Sequence, residues 1–187
     1  MIISIGESRS KKFKAFSRAT ELVEGVGHSH IFVSWKDSLG LRWVAEARGS
    51  GVRIVSNVGF KEENEVVNIY QYECDQEAFD ETVRYIWQNS PKSYGHLQIA
   101  GLAWMRLANW SVRLFGLENR FTNPFRDGEH SQICCEFGLN CATIALKKPK
   151  LKNVENFGLI EARKFNENHG ERFTRDRIDR INGEHSN

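Results

Sequence analysis

Between residues 30 and 73 the chain runs HIFVSW, LRWVAEA, GVRIVSNV and EVVNIYQY, apolar or alternating stretches with the turn signals KDSLG and RGSG between them. Runs of this length and period, joined by such short turns, leave little choice but antiparallel strands laid side by side in chain order. The flanks read differently. KKFKAFSRATELVEG places Phe13, Phe16, Ala19 and Leu22 at helical spacing before Gly25 and Gly27 break it. From Asp75 onward, Phe79, Val83, Ile86 and Trp87 again mark a helix, closed by Pro91 and Gly95.

The stretch from Leu97 to Phe115 is helical and largely apolar, with Arg106, Asn109 and Arg113 as its polar stripe, and is expected to lie mostly buried against the domain. A polar loop, NRFTNPFRDGEH, leads to SQICCEFGLNCATIALKK, a helix with Ile133, Phe137 and Ile144 inward. The expected class is α+β, an antiparallel sheet packed against helices, in one domain over residues 1–150. Residues 151–187 are charge-rich and weakly periodic, and are expected to form an arm or tail.

Composition narrows the function classes. A net charge of +2 argues against nucleic acid, and Lys147, Lys148, Lys150 and Lys152 read as solvated surface. The opening MIISIGESRSKK puts its charges after the apolar residues, the reverse of an export signal. The most apolar helix carries Arg106, Asn109 and Arg113, which a membrane span would not hold at its centre. Four cysteines without an export signal point to reduced thiols and synthesis in the cytoplasm, with delivery to a virion or cell envelope left to another machine.

Those thiols raise the chemical question. Cysteine catalysis needs a thiolate, a base within reach and a group that orients the base. Cys134 and Cys135 follow Ser131, an expected N-cap, and a helix start lowers thiol pKa while offering N–H groups to an oxyanion. His30 shares a strand face with Phe32 and Ser34. A turn centred on Ser38 pairs Ser34 with Arg42, Phe32 with Val44, and His30 with Glu46, whose carboxylate would fix the imidazole. Glu46 lies between Ala45 and Ala47, and a carboxylate in so apolar a strand needs a partner. His28 and His30 with Cys134 and Cys135 also make up a zinc-type ligand set, but adjacent cysteines chelate awkwardly and no Cys-x-x-Cys spacing exists. The preferred reading uses no metal and no cofactor.

In order and spacing these motifs resemble the circularly permuted papain-like group of the NlpC-type hydrolase superfamily, which includes lecithin retinol acyltransferase-like and bacterial and viral amidase-like proteins. Ser29-His30-Ile31 matches its first motif and VAEARGSGV its apolar strand with Glu. Tyr94-Gly95 is similar to its Tyr-Gly step, and Cys134-Cys135-Glu136-Phe137 matches its last motif, with Cys135 where serine is frequent. The match spans residues 27 to 146.

The resemblance implies a permuted papain-like fold with Cys134 as nucleophile, His30 as base and Glu46 as orienting group. Cys135, Tyr94 and His28 become secondary site residues, and Glu136 a structural or substrate-side group. It implies a hydrolase of amide bonds, with a peptide of peptidoglycan type as the first substrate class and a phage protein as one setting. A thiol acyltransferase or lipid esterase, meeting a membrane surface through helix 97–115, is the second reading. A catalytically silent binding or virion-structural module is the third.

Overall fold

A computed structural model describes residues 1–12, 14–48, 51–90, 93–94, 96–114, 121, 131–152, 154, 157–174 and 177–178; the side chains at 16, 93–94, 96–99 and 131–132 lie outside that description. The chain begins with β1 (Ile2–Ser10) and α1 (Lys14–Glu24). The strand block follows as β2 (His30–Lys36), β3 (Arg42–Arg48) and β4 (Gly51–Ser56), with α2 (Asn57–Glu63) leading into β5 (Asn64–Glu73). Next come α3 (Gln76–Asn89), β6 (Ser93–Tyr94), α4 (His96–Leu114), β7 (Ser131–Gln132) and α5 (Cys134–Ala145). The described elements end with α6 (Leu159–His169) and β8 (Glu171–Arg172). The α+β class expected from the sequence is what the chain adopts.

The principal sheet has six strands in the order β4-β3-β2-β1-β5-β8, antiparallel throughout. β1 sits inside it, between β2 and β5, so the first strand of the chain becomes a central one. The β2–β3 hairpin is organised by Asp37. Its Oδ1 accepts from the Leu39 and Leu41 amides, its Oδ2 accepts from Trp43 Nε1, and Gly40 takes φ 79°. A left-handed glycine closing a three-residue loop fits a twisted hairpin.

This loop corrects the expected register. Phe32 pairs with Glu46, Ser34 with Val44, and Lys36 with Arg42, so the turn is centred one residue later and every pair moves by two positions. A two-residue displacement preserves the faces, and His30 and Glu46 stay on one side.

α5 lies against the sheet and is buried along nearly its whole length, with Phe137, Cys141 and Ala142 fully enclosed. Gly138 permits the close approach: a Cβ there would stand 2.6 Å from Ile31 Cγ2. A second apolar cluster, Phe32, Val44, Phe60, Val66, Ile69, Phe173 and Ile178, gathers strand residues with α2 and the C-terminal segment.

Three helical expectations need revision. α1 turns a polar stripe toward β1: Ser17 and Glu24 are buried while Leu22 is 83% exposed. Its docking is by hydrogen bonds, Ser10 N–H to Ser17 Oγ and Arg9 Nε to Glu21, which explains why apolar spacing misassigned the face. Phe13 lies outside the described residues. α4 is not mostly buried. It seats Leu102 and Met105 in the core and leaves Trp104, Leu107, Trp110 and Leu114 in solvent, while Arg106 points inward to carboxylates.

The third revision concerns the stretch expected to be an arm from residue 151. It docks α6 through Leu159, Ala162 and Asn166 and adds β8 to the edge of β5. The loop expected over 119–130 lies outside the described residues except Phe121. No helix among the described residues is long and apolar enough to cross a membrane.

Candidate active site

β2 begins at the end of the sheet with His30, whose imidazole Nε2 lies 2.7 Å from Glu46 Oε2. Glu46 is wholly enclosed, and its other oxygen receives Arg53 Nε at 2.8 Å, with Arg48 Nε 3.3 Å from Oε2. Burial would raise the Glu46 carboxyl, but His30, Arg48 and Arg53 outweigh it and hold the group below the usual carboxylate range. Both arginines also reach Glu63, extending the network toward solvent. One signal for Arg53 was in the sequence: the tight RGSG turn sets it directly opposite Glu46 on the neighbouring strand.

Cys134 is the first residue of α5, as expected, but the cap residue is Ile133 and not Ser131, which lies in β7. The first intrahelical bond runs from the Phe137 amide to the Ile133 carbonyl, so the Cys134, Cys135 and Glu136 amides have no acceptor within the helix. The His30 ring and the Ile31 backbone amide both favour the ionised form of the Cys134 sulfur, which lies 3.9 Å from Cys135 Sγ.

These contacts divide the charges. The Cys135 thiol, as donor, lowers the Cys134 pKa well below that of an ordinary thiol. Burial works against this, and His30 and the Ile31 amide add to it. Cys135 is driven the opposite way by the neighbouring sulfur and by burial. Burial would lower His30, yet its bonds to Cys134 and Glu46 push it up to about 9. These shifts favour a Cys134 thiolate beside a His30 imidazolium. Burial raises both remaining thiols, Cys74 and Cys141.

His28 plays another part. It is fully buried, and its Nδ1 receives Arg163 Nη2 at 2.8 Å. A guanidinium only donates, so the ring proton sits on Nε2. Burial first, then Arg163, lowers His28 to about 3, and the ring stays neutral beside the Glu7–Arg163 ion pair. The two histidines that stand together in the sequence thus pair with different carboxylates, His30 with Glu46 and His28 with Glu7, and among the described residues no group of three or more His, Cys, Asp or Glu side chains is placed to hold a metal ion. Tyr94 pairs its backbone with Gln132, two residues before Cys134; its side chain lies outside the described residues, as does Gly95. Glu136 is buried on α5.

A cavity of about 220 Å³ opens beside Cys134 and Cys135. Its walls come from α1, α4 and the start of α6 and are mainly apolar, with Val23, Leu102, Ile133 and Leu159 among them. One carboxylate, Glu24, interrupts that lining. Burial raises its pKa against the pull of Arg106. Its Oε2 accepts from the Leu159 amide, and Arg106 joins it to Glu161, fastening α1, α4 and α6 together. A Cβ at Gly158 would run into that carboxylate and push it from its place between the Leu159 amide and Arg106. Sequence reasoning passed over Glu24, Arg106, Glu7 and Arg163 as functional residues, since their partners are far away in the chain.

Comparison of the chain with protein-family models, with curated proteins and with solved structures finds no match.

Proposed function

We propose that the chain is a cysteine hydrolase of permuted papain-like type that acts through a thioester. One observation carries the reading: Cys134 opens a helix beside a histidine that favours its ionised form, and a buried carboxylate holds that histidine at Nε2. The thiolate adds to a carbonyl carbon, and amides at the start of α5 are placed to receive the oxyanion. The carbon–nitrogen bond then breaks as the imidazolium gives its proton to the departing amine. Water, deprotonated by the now neutral His30, attacks the thioester and returns the thiolate. Glu46 holds the ring orientation throughout and supports its charge. The first substrate class is an amide in a peptide of peptidoglycan type.

A second reading is favoured by a specific feature, the apolar cavity at the sulfur. The same thioester chemistry on an ester would suit an acyl chain lying against Val23, Leu102 and Leu159. The exposed apolar residues of α4 would then face a membrane surface.

Iodoacetamide at mildly acidic pH tests the shared core of both readings. Cys134 should be alkylated well before Cys74, and His30→Ala should slow it at least tenfold, as expected when a thiolate loses its counter-ion. Labelling of Cys134 no faster than Cys74 would remove the enzymatic reading and favour a binding module. Release of amines from purified sacculi against release of fatty acid from phospholipid vesicles then separates the two substrates.

A further inference from the structure

Away from Cys134, a second cavity of about 270 Å³ lies over the Phe32 cluster. It begins at Phe32, two residues beyond His30 on β2, about 7 Å along the strand. Its lining is unusual in charge. Lys36 from β2, Arg42 from β3, Lys61 from α2 and Arg177 from the C-terminal segment all border it, and none of the described lining residues is acidic. Its polar neutral members, Ser34 and Asn57, are both able to donate hydrogen bonds.

The cations are held together at a cost. Lys36 and Arg42 are directly opposed across an antiparallel pair, where like charges repel. Arg42 is half-buried, and both its burial and the nearby Arg177 disfavour its charge. Among the described residues its guanidinium hydrogen-bonds one hydroxyl, Ser34 Oγ, at 3.5 Å. Arg177 lies over the Phe173 ring at 3.8 Å. Neither arginine, nor Lys36, has a carboxylate partner among the described residues. The adjoining cavity, which shares Lys36, Arg42 and Arg177, has one acidic group among its described lining residues, Asp37, whose oxygens are taken by the hairpin amides and the Trp43 indole. Cations gathered with donors, and with no carboxylate among the described lining residues, present a surface to a multiply charged anion.

We infer that this cavity binds a phosphate monoester of a small organic molecule. The phosphate would take the Arg42 and Arg177 guanidinium groups with Lys36, and the organic part would lie on Phe32, Ile69 and Phe173. The site is independent of Cys134 and of any reaction there.

Titration calorimetry of the full chain at low ionic strength, with inorganic phosphate and with phenyl phosphate, tests it. Both should bind saturably, phenyl phosphate more tightly because it covers the apolar floor. Arg42→Gln and Arg177→Gln should each weaken binding about tenfold or more, as expected for loss of a charge-assisted contact. Cys134→Ser should leave it unchanged. Arg177 is on the surface, so its variant reports on binding even if Arg42→Gln unfolds the hairpin. Absence of saturable binding to either phosphate, or wild-type affinity in Arg177→Gln, would overturn the proposal.

Discussion

At the scale of single residues, the site rests on a division of labour between neighbours of the same type. Cys134 has the imidazole and the Ile31 amide to favour its charge, whereas Cys135 faces the adjacent sulfur first and the Glu24 and Glu161 carboxylates after it, all of which disfavour its charge. Cys135→Ala should therefore slow alkylation of Cys134 at acidic pH and leave the rate unaltered in strong alkali. Cys135→Ser, which keeps a donor, should stay within about threefold of wild type. The pH profile of kcat/KM should rise through the lowered Cys134 pKa and fall again as pH passes about 9, where the His30 imidazolium loses the proton destined for the leaving group. The same histidine stabilises the fold fully below its ordinary value of 6.5, and that contribution fades as pH rises through about 9. Glu46→Gln should lower kcat about a hundredfold with KM little changed, because the ring loses a charge-supporting partner and not a substrate contact.

At the scale of elements, α5 and α4 make opposite demands. α5 is pressed so closely to β2 that Gly138→Ala must displace Ile31 or tilt the helix. Overpacking of that kind costs about 1–3 kcal/mol, readable as a lower urea midpoint at unchanged m. On α4, Leu107→Glu and Trp110→Glu alter solvent-facing positions and should shift stability by no more than about 0.5 kcal/mol. Their effect should appear in vesicle flotation alone, and unaltered flotation would count against the membrane reading.

The elements also separate what the sequence disclosed from what it concealed. Strand parity placed His30 and Glu46 on one face, and that survived a two-residue error in register because side-chain direction repeats every second residue. α6 was concealed because its buried side is made of Leu159, Ala162 and Asn166, too little apolar surface to show a period. Arg106 read as part of a polar outward stripe because its partners, Glu24 and Glu161, lie 82 and 55 residues away.

At the scale of the whole molecule, stability depends on joining the ends of the chain. Arg163 on α6 pairs with Glu7 on β1, and both Glu7 and the adjoining His28 are enclosed. Arg163→Met leaves that carboxylate without its cation and should cost about 3 kcal/mol in urea unfolding. Acid should act on the other network. Glu63, held down to about 2 by Lys12, Arg53 and Arg48, and Glu46, also depressed, contribute stability above the ordinary carboxylate value of 4.5; it is lost as pH falls through their folded values.

Because β1 is a central strand paired with β5, and Arg163 reaches back across 156 residues, the site depends on contacts the ribosome completes late. A nascent chain can pair β1 with β2, but it cannot close the wall around Cys134 until α6 has emerged and docked on Glu24. During synthesis the apolar wall beside Cys134 is then open to water, and it is complete only once the segment past residue 150 is in place.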